Sequence, residues 1–84
     1  NYPRAFYTLG ETYWKLGNEG DAHYFIGLHY KNKRDFKNAI FHLKKALEYI
    51  NEPYKKAQIE ELLKEITKKK NKSEKDDENK AQKN

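Results

Sequence analysis

DAHYFIGLHYKNKRDFKNAIFHLKKALEYIN, residues 21–51, reads as two helices folded back on each other across a polar turn at Lys33-Arg34. In the first, His23, Ile26, Gly27 and Tyr30 recur at steps of three, one and three, which gathers them on one helical face. In the second, Phe36, Ala39, Leu43, Ala46 and Leu47 do the same. Gly27 and Ala39 leave room for two helix axes to approach closely, with larger side chains filling in around them.

These residues resemble the tetratricopeptide (TPR) repeat, whose pattern runs Trp-x2-Leu-Gly-x2-Tyr, then an Ala with an aromatic four residues later, then a Pro. The matching positions are His23, Ile26, Gly27, Tyr30, Ala39 and Leu43, with Asn51 and Pro53 near the expected Pro. Asp35-Phe36 and Ala46-Leu47-Glu48 are similar to the family's Gly-Asp-Tyr and Ala-Leu-Glu segments. His23, Leu43 and Arg34 stand where the family has Trp, an aromatic and Gly, departures that packing tolerates. The resemblance implies an all-α antiparallel stack of helix-turn-helix units and a non-enzymatic scaffold for protein–protein interaction. The repeat positions it fixes are Ile26, Gly27, Tyr30, Ala39, Leu43 and Ala46.

Upstream, residues 3–16 form a further helix, with Asn1 as cap, Pro3 in the opening turn, and Gly17-Asn18-Glu19-Gly20 ending it. Its apolar stripe is Tyr2, Ala5, Phe6, Leu9, Tyr13 and Leu16, with Tyr7 and Trp14 on a second face. Phe6, Leu9, Gly10 and Tyr13 mimic the start of the motif. Only 17 residues separate Gly10 from Gly27, however, whereas repeats recur every ~34. The 34-residue register therefore makes this helix the second of a preceding repeat and sets Gly10 beside Lys44, at an exposed position. Asp21 can cap the next helix, 21–32, and the third runs over 35–50. Asn51-Glu52-Pro53 restarts a fourth, 53–68, whose apolar side is Tyr54, Ile59, Leu62, Leu63 and Ile66. It lacks the motif glycine and reads as the polar-faced helix that ends such arrays.

The composition divides at the same place. All twelve aromatics lie between Tyr2 and Tyr54. Residues 1–66 carry 11 Lys and Arg against 9 Asp and Glu, whereas residues 67–84 carry 7 against 4 with Ala81 as their one hydrophobic residue. Residues 1–70 are thus expected to form the helical domain, and 71–84 a disordered polar tail or linker with nothing to bury. Because most of the basic excess sits in residues 67–84, past the nearly balanced aromatic-rich part, it is not expected to make a footprint on the folded face, which argues against nucleic acid. A basic nucleic-acid-binding helical domain stays an alternative reading, as does self-association through an end face into a homo-oligomer. The chain has no cysteine, which removes disulfides and thiolate chemistry and suits a reducing compartment such as the cytoplasm. No apolar run reaches the ~20 residues a membrane span needs. An initial Asn in place of Met suggests a piece of a longer protein.

Chemistry has few footholds. His23 and His29 are six residues apart and so face different ways, and His42 lies on another helix beside core Leu43, which gives no metal-ligand spacing. Glu60 and Glu61 sit among lysines on a helix surface, and the glycines make no phosphate-cradling loop. No cofactor, metal or catalytic residue is expected. Tyr24, Phe25 and Leu28 stand out because they flank the seam that already takes Ile26, Gly27 and Tyr30. In the family this flank lines a concave groove, and the resemblance projects it here onto Asp21, Tyr24, Phe25, Leu28, Lys31 and Asn32. Phe25 and Leu28 stand where chaperone-binding members carry polar clamp residues, so the implied partner is an apolar peptide or amphipathic helix.

Overall fold

A computed structural model describes residues 4–82, with side chains from 4 to 72. Four helices follow one another: α1 Ala5–Lys15, α2 Glu19–Asn32, α3 Phe36–Tyr49 and α4 Pro53–Gln82. Each packs on the next, α1 on α2, α2 on α3 and α3 on α4, as expected of a helical-hairpin stack.

The helix starts are set by short polar side chains. Asn18, not Asp21, caps α2: its Oδ1 accepts the Asp21 N–H at 3.2 Å while its Nδ2 donates to Asp21 Oδ2 at 2.8 Å. Asn is a strong cap, and the helix therefore begins two residues earlier than the sequence suggests. Asp35 repeats the device on α3, accepting the Asn38 N–H at 3.3 Å and the Asn38 side-chain amide at 2.7 Å. At α4 the Glu52 carboxylate accepts the N–H groups of Tyr54 and Lys55 at 2.8 and 3.0 Å. The expected cap Asn1 and Pro3 lie outside the described residues. Gly20, read from the sequence as part of the turn, is instead inside α2. A Cβ there would come within 2.7 Å of Ile50 Cγ1, so the glycine admits the end of α3.

α4 continues well past residue 68, to Gln82. No Gly or Pro follows Pro53, Lys and Glu are good helix formers, and pairs such as Lys69–Glu65 at 3.4 Å support the turn. The side chains of the expected tail lie outside the described residues beyond Lys72.

The core comprises Ala22, Phe36, Ala39, Leu43, Ala46, Ile50, Ile59 and Ile66, with Tyr24, Tyr30, Ile40, Leu47, Leu62 and Leu63 packed around it. Gly27 sits against Leu43, whose Cγ would lie 2.8 Å from an added Cβ, so the seam between α2 and α3 is the close one expected.

The reading of α1 needs correction. Gly10 is buried, and an added Cβ would meet Ile26 Cγ1 at 2.5 Å and the Ala22 carbonyl oxygen at 3.2 Å. α1 therefore buries a face built on Phe6, Gly10 and Tyr13, and Leu9 and Leu16 of the expected stripe point to solvent. Axis distance decides this: a glycine lets α2 approach more closely than a leucine row does. Gly10 stands to Ile26 as Gly27 stands to Leu43, sixteen residues on in both cases. The turns repeat too. Asn18 N–H reaches the Tyr13 carbonyl at 2.9 Å and Asp35 N–H reaches that of Tyr30 at 2.9 Å, with Gly17 and Arg34 both in the left-handed region. The operative period is thus a half-repeat of 17 residues, and α2 serves as second helix of one hairpin and first helix of the next.

Candidate partner-binding cleft

Because α1 and α4 both project past the same side of α2, a cleft of about 260 Å³ opens between them. Tyr13 of α1 forms one wall, Asp21, Tyr24 and Phe25 of α2 the floor, and Ile50 with Lys55, Gln58 and Ile59 of α4 the other wall. The α2 residues reach it because positions 21, 24 and 25 recur at helical spacing on one side of α2. Phe25 is held by its neighbours: its ring lies parallel to that of Tyr13 at 5.4 Å and faces Phe6 at 6.1 Å. Tyr24 meets the Phe25 ring edge-on at 5.1 Å and packs against the core. The floor is therefore aromatic and fixed.

One ion pair crosses the mouth. Lys55 Nζ donates to Asp21 Oδ1 at 3.0 Å, joining α4 to the first turn of α2. The Lys55 side chain is half exposed, while that of Asp21 is only 17% exposed. The hydrogen bond to Asp21 holds the Lys55 ammonium above its ordinary pKa, against a smaller opposing effect of burial. The cleft thus offers an apolar interior with one cation and one anion at its rim.

Of the six projected groove positions, Asp21, Tyr24 and Phe25 line this cleft. Leu28, Lys31 and Asn32 lie one to two turns further along α2, outside its walls, Leu28 and Lys31 half-buried and Asn32 exposed. Tyr13, Ile50, Lys55, Gln58 and Ile59 were not among the projected residues. Tyr13 and Ile59 carried an apolar-face signal, but nothing in the sequence set them across a cleft from each other.

The histidines make a contact that the sequence did not indicate. His23 and His42, on separate helices, meet with their Nδ1 atoms 3.1 Å apart. Among the described residues no group of three or more His, Cys, Asp or Glu side chains is placed to hold a metal ion, and no helix is long and apolar enough to cross a membrane.

The tetratricopeptide repeat family model matches residues 3–22 and 20–53. The chain belongs to the tetratricopeptide repeat family. Each match begins seven residues before its glycine, Gly10 and Gly27, in keeping with the 17-residue half-repeat of the fold. No curated protein and no solved structure matches the chain. TPR units mediate protein–protein interaction and are not enzymes.

Proposed function

We propose that this TPR unit binds a partner protein through the cleft floored by Tyr24 and Phe25, taking an apolar anchor from a peptide or amphipathic helix. The observation that carries the reading is the cleft itself. It is a concave site with aromatic and aliphatic walls and a few polar groups at the rim, the arrangement in which anchored peptide recognition works. A bound helix that ran on along α2 beyond its anchor would meet Leu28, Lys31 and Asn32, which lie one to two turns outside the cleft. Lys55 and Asp21 orient it, because their ion pair can exchange for charges on the partner.

The test uses the rim, since Phe25 also holds α1 and its removal would disturb folding. Gln58 is exposed on the cleft wall, so Gln58→Trp fills the cleft without touching the core. Amphipathic helical peptides titrated into the ¹⁵N-labelled chain should shift the amides of Tyr13, Tyr24, Phe25 and Gln58. Gln58→Trp should weaken that binding about tenfold, some 1.4 kcal/mol, with an unchanged melting temperature. Shifts that cluster instead around exposed Trp14 and Tyr49, untouched by Gln58→Trp, would place the interaction on the other face.

A further inference from the structure

We infer that His23 and His42 form a proton-operated latch that holds α2 to α3 when at least one of the pair is uncharged at Nδ1. The ring centroids are 5.3 Å apart and the planes are inclined by 27°, while the two Nδ1 atoms approach to 3.1 Å. The centroid separation exceeds the nitrogen separation by about two ring radii. The rings therefore meet edge to edge, with the nitrogens pointing at each other nearly end on. That is hydrogen-bond geometry: one Nδ1–H donates and the other Nδ1 accepts. A chelated ion would need the two lone pairs to converge at an angle, and no third ligand group is present among the described residues.

The latch is fixed on both sides. Tyr30 of α2 lies parallel to His42 at 5.5 Å, and Phe41 of α3 meets that ring edge-on at 5.2 Å. Tyr49 of α3 lies parallel to His23 at 5.9 Å, and Trp14 of α1 meets it edge-on at 5.7 Å. Neither imidazole can swing away without disturbing this column of rings. A second proton gives both facing nitrogens an N–H, so the bridge must open and two like charges are left side by side.

The charged surroundings offset this only in part. His23 faces Glu19 from its own helix and Lys45 and Glu48 from α3; burial holds it below its ordinary pKa, with Glu19 and Glu48 opposing and Lys45 reinforcing. His42 is held down by burial and then by His23. Since the folded pair binds protons less readily than the unfolded chain, the stability it contributes is fully present above the ordinary histidine pKa. It is lost as pH falls through the lower folded values. Because α2 also floors the cleft, a partner held there would be released over the same range. That consequence rests on the partner reading, whereas the tests below do not.

Histidine ¹⁵N and ring-proton shifts of the intact chain, followed from pH 8 to 5, should show His23 and His42 titrating below the values they take in the same chain unfolded in urea. One ring should hold its proton on Nδ1 and the other on Nε2 at the high end. Urea unfolding over the same range should show the folding constant dropping with pH, by at most about tenfold per pH unit for each proton taken up. His42→Phe keeps a ring against Tyr30 but carries no proton, and should flatten that dependence. Titration at or above the unfolded values, or an equal slope in His42→Phe, would overturn the latch. The titration is read on the unaltered chain, so it decides the matter even where His42→Phe folds poorly.

Discussion

Gly10 and Gly27 each sit where the following helix presses closest, and each has a branched aliphatic side chain lodged in the space a Cβ would take. At Gly10 an added methyl meets Ile26 Cγ1 and the Ala22 carbonyl oxygen, and backbone cannot step aside as a flexible chain end can. Gly10→Ala is therefore expected to destabilise by about 1–3 kcal/mol, as overpacking does, and Gly27→Ala by a similar amount against Leu43. Read from spacing alone, Gly10 falls on an exposed helix surface, where Ala would instead stabilise by ~0.5–1 kcal/mol. Thermal or urea unfolding of Gly10→Ala separates the two by sign. The local sequence around both glycines is nearly the same, Leu-Gly-x2-Tyr against Ile-Gly-x2-Tyr, so the information was present. The 34-residue repeat length masked it, because two first-type helices 17 residues apart require one helix to serve two hairpins. The contact of His23 with His42 was not legible in the same sense. It joins positions nineteen residues apart through the register of two helices and their rotamers, neither of which is a local property of the chain.

At the scale of elements, what made α2 and α3 readable was periodicity joined to small residues. Ala22, Ala39 and Ala46 are fully buried at the places where the axes come together. Helix starts were less readable, because Asn18 and Asp21 are both competent caps and three-dimensional packing of Gly20 on Ile50 chose between them. The cleft was half readable: its floor follows from one face of α2, but its walls come from α1 and α4, which approach only once the stack is built. The start of α4 carries much of that placement. The Glu52 carboxylate accepts two otherwise unpaired N–H groups, and the next turn holds Lys55 in its ion pair with Asp21. Glu52→Ala should cost about 1 kcal/mol, within the range for loss of an N-terminal cap. The α4 amide of Lys55 should also exchange faster with solvent. Equal stability and unchanged exchange in the variant would show that water caps this helix as well as the carboxylate does.

Taken whole, the molecule is a short stack of four helices. Among the described side chains the last buried ones are Ile59, which closes the cleft wall, and Ile66, which joins the same core cluster; Lys72 is already exposed. A chain of this size has a stability on the order of 5 kcal/mol, so each buried isoleucine is a large share of it. Two truncations test where the domain ends. Ending the chain after Lys72 removes no described buried side chain and should leave stability within about 0.5 kcal/mol, as surface changes do. Ending it after Leu63 strips Ile66 from the core and should cost about 2–5 kcal/mol, the range for deleting a buried aliphatic side chain. The shorter chain should then be largely unfolded at 37 °C by circular dichroism. If the first truncation lowers the melting temperature as steeply as the second, residues beyond 72 contribute packing, and the division of the chain near residue 70 fails. If neither does, the part of α4 beyond Leu63 is dispensable to the stack, and Ile59, Leu62 and Leu63 hold the cleft wall without Ile66.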